Sequence, residues 1–319
     1  MISINAGSNN LAEFIAIAVC PECRSSLSLS EDNKTIYCNL SPLHQFAINK
    51  YGFFEFAPKT YTDKYDDATY VNSYVVDAFG YCLINLSNTS IKVGIGQPEG
   101  LYKCVSQMIL STIIKQKLYG KDNVRLIDIG CGIGRCVADI AIALPNALAV
   151  GLDYSTEMIR LARDILLSEE TITFDLTKLG FESPVIKGKG LRNVFLAQAS
   201  AGRLPLKMFD AKSEVGFDVV VNSMLIDRMH TSADILSSIR LSTSILRTGG
   251  TYIFASPLNW ITRETWEFFG KSRTQILDLL QKSDLHIEEA FDGLVYRELL
   301  DPHGTHLELP VLVARAIKL

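Results

Sequence analysis

The stretch Val124 to Arg135, VRLIDIGCGIGR, decides how the rest of the chain is read. A short apolar, β-branched run leads into a turn with three glycines in five residues, so the segment reads as a strand, a tight loop and a helix start. Glycine alone takes positive φ without steric cost and lets a ligand come close to the backbone. Gly130, Gly132 and Gly134 therefore mark a loop shaped around something bound above the strand, and Arg135, which opens the helix, is counted with them among the binding positions. The spacing is G-x-G-x-G, not the G-x-G-x-x-G of a dinucleotide fold, and Asp128 stands two residues before the first glycine.

Outward from this loop, a second apolar run from Leu148 to Leu152 ends in Asp153 and Tyr154, and Ser155 is placed to cap an amphipathic helix reaching about Leu167. An acidic side chain at that strand end can accept both hydroxyls of a ribose, which says nucleoside without saying which one. Together these segments closely resemble class I S-adenosylmethionine (SAM) methyltransferases. The resemblance implies a doubly wound, mostly parallel, seven-stranded sheet. It also implies that the loop passes under the methionine part of SAM, with Asp128 beside its ammonium group and Asp153 and Tyr154 at the ribose. Farther on, QASAGRLPL, Gln198 to Leu206, occupies the position where members often place Asp-Ala to meet the adenine. Here Ser200 and Ala201 stand there, and a serine still hydrogen-bonds. Asn222, at the end of the buried fourth strand Phe217 to Val221, is placed to touch SAM or substrate.

A chain of 319 residues suits one main domain with a smaller attachment. We read 1–58 as an N-terminal lobe, 59–120 as a helical cap or linker, and 121–319 as the methyltransferase domain. Hydrophobic content of 48% fits a sizeable core, and a net charge of -4 gives no global attraction to nucleic acid or anionic lipid. No apolar run approaches the ~20 residues of a bilayer span, and no signal peptide is evident, so a cytoplasmic location is expected. Seven cysteines are too few and too unevenly spaced for a disulfide framework.

Metal is the better explanation for some of them. Cys20 and Cys23 form a CxxC knuckle, followed by Cys38 and His44. Three thiolates and an imidazole suffice for tetrahedral zinc with no position open for chemistry, and a region too small to build a core would draw its folding energy from the metal. The run resembles the zinc finger at the front of bacterial ribosomal-RNA guanine methyltransferases, including the His-Gln-Phe after the last cysteine.

Between lobe and domain, Tyr61, Tyr65, Tyr70 and Tyr74 recur at near-helical spacing, as on a surface helix or a cap over the active site. An insertion, Glu169 to Arg192, reads as a solvated loop. The helix from about Ser232 to Leu246 is expected to end at Gly249-Gly250, and a fifth strand and a long closing hairpin follow.

The second half carries a more particular resemblance. MLIDRMHTSADIL from Met224, ASPLNWITRETW from Ala255 and LVYREL from Leu294, with NSYVVDAFG from Asn72, look like mercaptohistidine (ovothiol-forming) N-methyltransferases, and Ile226-Asp227 also resembles carnosine N-methyltransferases. Both relatives point to a small imidazole as methyl acceptor. For such a nucleophile one ring nitrogen presents its lone pair while the other keeps its proton, and a carboxylate accepting that N–H fixes the tautomer. Asp227 is the candidate for this role, with Tyr70 and Tyr74 available to bond the ring or a substrate carboxylate. A surface ion pair of Asp227 with Arg228 or Arg263 is the structural alternative. Two other readings stand beside this one: an RNA base methyltransferase, led by the finger, and a non-catalytic SAM-binding partner protein.

Overall fold

A computed structural model describes residues 8–57, 98–173, 185–212, 215–259, 262–269, 273–299 and 306–319. The N-terminal lobe contains α1 (Ser8–Ile17), a three-stranded antiparallel sheet of β1 (Leu27–Leu29), β2 (Thr35–Cys38) and β3 (Gln45–Ala47), and the short β4 (Phe54–Glu55). Next come α2 (Pro98–Lys115), β5 (Arg125–Ile129), α3 (Arg135–Ala143), β6 (Leu148–Asp153) and α4 (Thr156–Leu167). The hairpin β7 (Thr171–Thr173) and β8 (Val185–Lys187) precedes β9 (Val194–Gln198) and β10 (Phe217–Ser223). Then follow α5 (Ser232–Ser244), β11 (Leu246–Ser256), α6 (Arg263–Phe269), α7 (Arg273–Gln281), β12 (Leu285–Leu299) and β13 (His306–Lys318).

The main sheet runs β12-β13-β11-β10-β5-β6-β9-β4. Pairing is parallel from β11 through β4, and the β12–β13 hairpin joins antiparallel to β11. The seven strands implied by the sequence are present, and β4 of the lobe adds an eighth. All seven residues of β10 are buried, as a strand covered on both faces must be. On one face α2, α3 and α4 bring Val105, Val137 and Ile159 onto Leu126, Val219, Val221 and Ile253. On the other, α1, α5 and α7 bring Phe14, Ile239 and Ile276 onto Ile127, Val220, Tyr252 and Phe254. The helix α2, which lies within 59–120, packs on the sheet with Leu101, Val105, Ile109 and Ile113 at 0% exposure. The remainder of that stretch, with Tyr61, Tyr65, Tyr70 and Tyr74, lies outside the described residues.

Two local expectations are corrected. The helix α5 ends at Ser244, and Gly249-Gly250 sits inside β11. There the ladder skips from Phe217–Leu246 to Val219–Thr251, a bulge that Gly249 accommodates with φ 74°. The glycine signal for a helix end and for a strand bulge is the same left-handed backbone, so the residue type alone does not separate them. The insertion is also more than solvated loop: β7 pairs with β8, and the amides of Lys189, Gly190 and Leu191 donate to the carbonyls of Ile165, Ser168 and Leu166 at the end of α4.

Candidate functional site

The carboxyl ends of β5, β6, β9 and β10 gather most of the residues singled out by the sequence. The three glycines after β5 all have positive φ, 76° at Gly130, 52° at Gly132 and 83° at Gly134, each for a different reason. A Cβ on Gly130 would meet Leu225 Cδ1 at 2.8 Å, and one on Gly134 would meet Leu166 Cδ1 at 2.6 Å. At Gly132 nothing among the described residues lies within 4 Å, which leaves room at this point of the loop for a ligand. Ser155 caps α4 as the sequence predicts, its hydroxyl accepting from the Met158 amide at 3.3 Å.

Two carboxylates lie under that opening. Asp153 accepts from the Gly132 amide and the Ser155 amide, both at 2.8 Å, and each oxygen keeps a lone pair for a ribose hydroxyl. Burial raises its pKa, against the pull of those backbone donors. Asp128 is 3% exposed, and its Oδ1 has no partner among the described residues. Burial, and then the neighbouring Asp153, push its pKa up to about 8. Two neighbouring acids, with no partner for Asp128 Oδ1 among the described residues, form a site that a positively charged ligand would complete.

The other predicted positions divide. Arg135 turns along its own helix, its Nε 3.0 Å from Asp139. Tyr154 is half-buried, and its carbonyl accepts from the Gln198 side chain at 3.0 Å. Ser200 caps the turn Ala201–Arg203 by accepting from the Gly202 amide at 3.3 Å, which leaves its hydroxyl proton free to be donated. Asn222 is fully buried, on the face of β10 that carries Val220 and opposite to Asp128. The residue of β10 on the Asp128 face is Ser223, 8% exposed. Sequence reasoning passed over it, although strand alternation counted from Val219 and Val221 would have found it.

Asp227 lies in the short turn Ile226–Arg228 after β10 and is 1% exposed. The Leu258 amide donates to Ser256 Oγ at 3.2 Å, so the Ser256 hydroxyl points its own proton at Asp227 Oδ1, also 3.2 Å away. Oδ2 lies 3.5 Å from Arg228 Nε, whereas Arg263 pairs with Glu267. Met224 and Leu258 follow the two strand ends with φ of 57° and 55°. Non-glycine residues occupy that region only where their surroundings hold them there. Tyr70, Tyr74 and Trp260 are outside the described residues.

In the lobe, Cys20, Cys23, Cys38 and His44 converge, with their ligand atoms all within 4.8 Å of one another. Cys20 Sγ is 3.4 Å from His44 Nδ1, and Cys23 Sγ is 3.4 Å from Cys38 Sγ. Ligands on a tetrahedral zinc with bonds of about 2.3 Å to sulfur would stand roughly 3.7 Å apart, so the four atoms fit such an ion. Backbone N–H groups face the sulfurs as thiolate ligands require. Burial raises Cys20 to about 11 against amides of Cys23 and Glu22, while at Cys38 burial is outweighed by the amides of Ser41 and Leu40 together with the Cys23 and His44 side chains, which bring it down to about 6.

Fold and site together define a class I SAM-dependent methyltransferase: strand order, open glycine loop and paired acids agree. A methyltransferase-domain family model matches residues 120–293, more than half of the chain, and the protein belongs to that family. No curated protein sequence shows a significant match. Among solved structures, magnesium protoporphyrin IX methyltransferase from Synechocystis, determined with bound SAM, is similar over 79% of this chain and 94% of its own, with a TM-score of 0.50 and 14% identity. The N-methyltransferase NodS from Bradyrhizobium japonicum aligns over 70% and 98%, with a TM-score of 0.43 and 14% identity. The YcgJ protein from Bacillus subtilis aligns over 66% and 97%, with a TM-score of 0.41 and 16% identity. At these identities the likeness is one of fold. SAM is the co-substrate of the family.

Proposed function

We propose that the protein transfers the methyl group of SAM to a ring nitrogen of a small histidine-like molecule, and that its N-terminal lobe holds a structural zinc ion. The observation that carries the acceptor reading is the buried Asp227 carboxylate, oriented by Ser256 at 3.2 Å and set beside the strand end that borders the glycine loop. A carboxylate fixed in this way accepts one imidazole N–H and leaves the other nitrogen's lone pair to face the methyl group. SAM supplies an electrophilic methyl on a sulfonium. The nitrogen lone pair forms the new C–N bond as the C–S bond breaks and its electrons return to sulfur. Asp227 then lies beside the N–H whose acidity rises as the ring becomes cationic. Holding nucleophile and methyl in line is where the protein contributes most. In this reading Asp128 pairs with the SAM ammonium, Asp153 with the ribose, Ser200 and Ala201 line the adenine, and Asn222 supports β10 from its other face. Tyr70 and Tyr74 are assigned to the substrate. The zinc reading rests on the convergence of Cys20, Cys23, Cys38 and His44, which leaves no ligand position open, so zinc would contribute folding energy and no chemistry.

The test is transfer from labelled SAM to histidine derivatives and to total ribosomal RNA, with wild type and Asp227→Ala compared. Transfer to a histidine derivative that collapses in the variant, while SAM still binds, supports the reading. Transfer to RNA alone sinks it and makes the finger a recognition module. SAM binding without turnover on either set favours a non-catalytic partner.

A further inference from the structure

The cysteine-histidine cluster and the adenine-side loop are distant in sequence, yet one arginine joins them. Arg24 closes the CPECR knuckle with φ 63°, its amide donating to the Cys20 carbonyl at 2.8 Å. A left-handed non-glycine residue persists only where its surroundings determine it. Here the conformation sends the guanidinium across to the segment that follows Ser200 and Ala201. Nη1 donates to the Leu204 carbonyl at 2.6 Å and Nη2 to the Leu206 carbonyl at 2.5 Å, so one planar fork grips two carbonyls two residues apart. The same segment is held by the Val19 amide on the Pro205 carbonyl at 3.0 Å, the Lys207 amide on the Ile17 carbonyl at 2.8 Å, and an Arg203–Glu22 ion pair at 3.4 Å. Every one of these contacts comes from residues 17–24, the stretch that carries two of the four cluster ligands.

We propose that Arg24 is a positioning residue for adenine recognition, and that through it metal at the cluster and SAM at the sheet are thermodynamically linked. The inference rests on the SAM and zinc readings above. The turn Ala201–Arg203 is short, three residues with one serine cap and packing on α5, so the contacts from residues 17–24, the Arg24 fork among them, help to set the chain that leaves it. With the knuckle formed, Arg24 fixes the carbonyls of Leu204 and Leu206 and therefore where Ser200 and Ala201 meet the adenine. With the metal removed, the knuckle relaxes and the fork loses its anchor. Coupling of this kind is reciprocal, so SAM must tighten the metal by the factor by which the metal tightens SAM.

The experiment measures calorimetric affinity for S-adenosylhomocysteine and for its inosine analogue, which presents a carbonyl where adenine has an amine. It uses the zinc-loaded full chain as wild type, Arg24→Gln and Arg24→Lys, together with the chelated wild type. Zinc affinity is measured by chelator competition with and without S-adenosylhomocysteine. Arg24→Gln should raise Kd for the adenosyl ligand up to roughly 5- to 20-fold, because binding must then re-order the segment that the two internal hydrogen bonds held in place. It should also narrow the preference over the inosine analogue, and Arg24→Lys should fall between. Hydrogen exchange of 199–207 should quicken while that of β5 and β6 stays slow. Wild-type affinity in Arg24→Gln overturns the proposal, as does an equal loss for both nucleosides with faster exchange throughout, which is general destabilisation. Unchanged affinity on chelation overturns the link to the metal. A wild type that binds neither nucleoside overturns the SAM reading itself, a distinguishable failure.

Discussion

Asp128 shows how one side chain sets a measurable property. Its folded pKa of about 8 lies above the usual carboxylate value, so between about pH 4 and pH 8 the empty native state holds a proton that the unfolded chain has released. The contribution to stability therefore falls as pH rises through that window. Binding a cationic ammonium reverses the preference and expels the proton. SAM affinity should accordingly rise with pH toward about 8 and fall again as the SAM amine itself loses its proton, and calorimetry in buffers of different ionisation enthalpy should detect the proton released by Asp128. Asp128→Asn should flatten the profile and weaken SAM about 10- to 100-fold, the scale of a lost charged hydrogen bond. Asp227→Asn keeps shape and removes charge. Turnover on the imidazole acceptor should drop on the order of 100-fold or more, with SAM affinity within a factor of two. A parallel loss of SAM binding would assign Asp227 to the fold of its turn.

Among the elements, the glycine loop separates stability from binding. Gly134→Ala drives a Cβ into Leu166 at a positive φ and should cost roughly 1–3 kcal/mol, seen as a lower denaturant midpoint. Gly132→Ala meets no neighbour within 4 Å among the described residues, so its stability cost should be smaller and its effect on SAM affinity larger. Much of this was legible in sequence. The run Leu148–Asp153 with Ser155 predicted both β6 and its following cap, because burial on two faces and an N-cap are local signals. The four cluster ligands were legible from spacing. The pairing of β4 with β9 was not, since two residues carry no periodicity, nor was the bulge at Gly249-Gly250. The face on which Asn222 or Ser223 stands needed only strand parity, while Ser256 as the partner of Asp227 depends on where β11 ends beside β10.

At the scale of the whole molecule, the lobe is built into the sheet. Phe14 of α1 stacks on Phe195 of β9 with centroids 3.9 Å apart, and β4 runs parallel beside β9. Chelation should therefore lower the apparent melting temperature of the entire chain in one cooperative transition; a separate early transition for the lobe would contradict this. Among the described elements no helix is long and apolar enough to cross a membrane. The eighth strand also carries a consequence for how the protein is made. Phe54 pairs with Ala197, so its partner is synthesised 143 residues later (197 minus 54). At 5–20 residues per second a ribosome needs roughly 7 to 30 s to cover that interval. Throughout that time the nascent lobe must keep Phe54 and Phe56 from straying, and the proposed metal site, whose four residues all precede Phe54 in the chain, would be complete early enough to hold its outline.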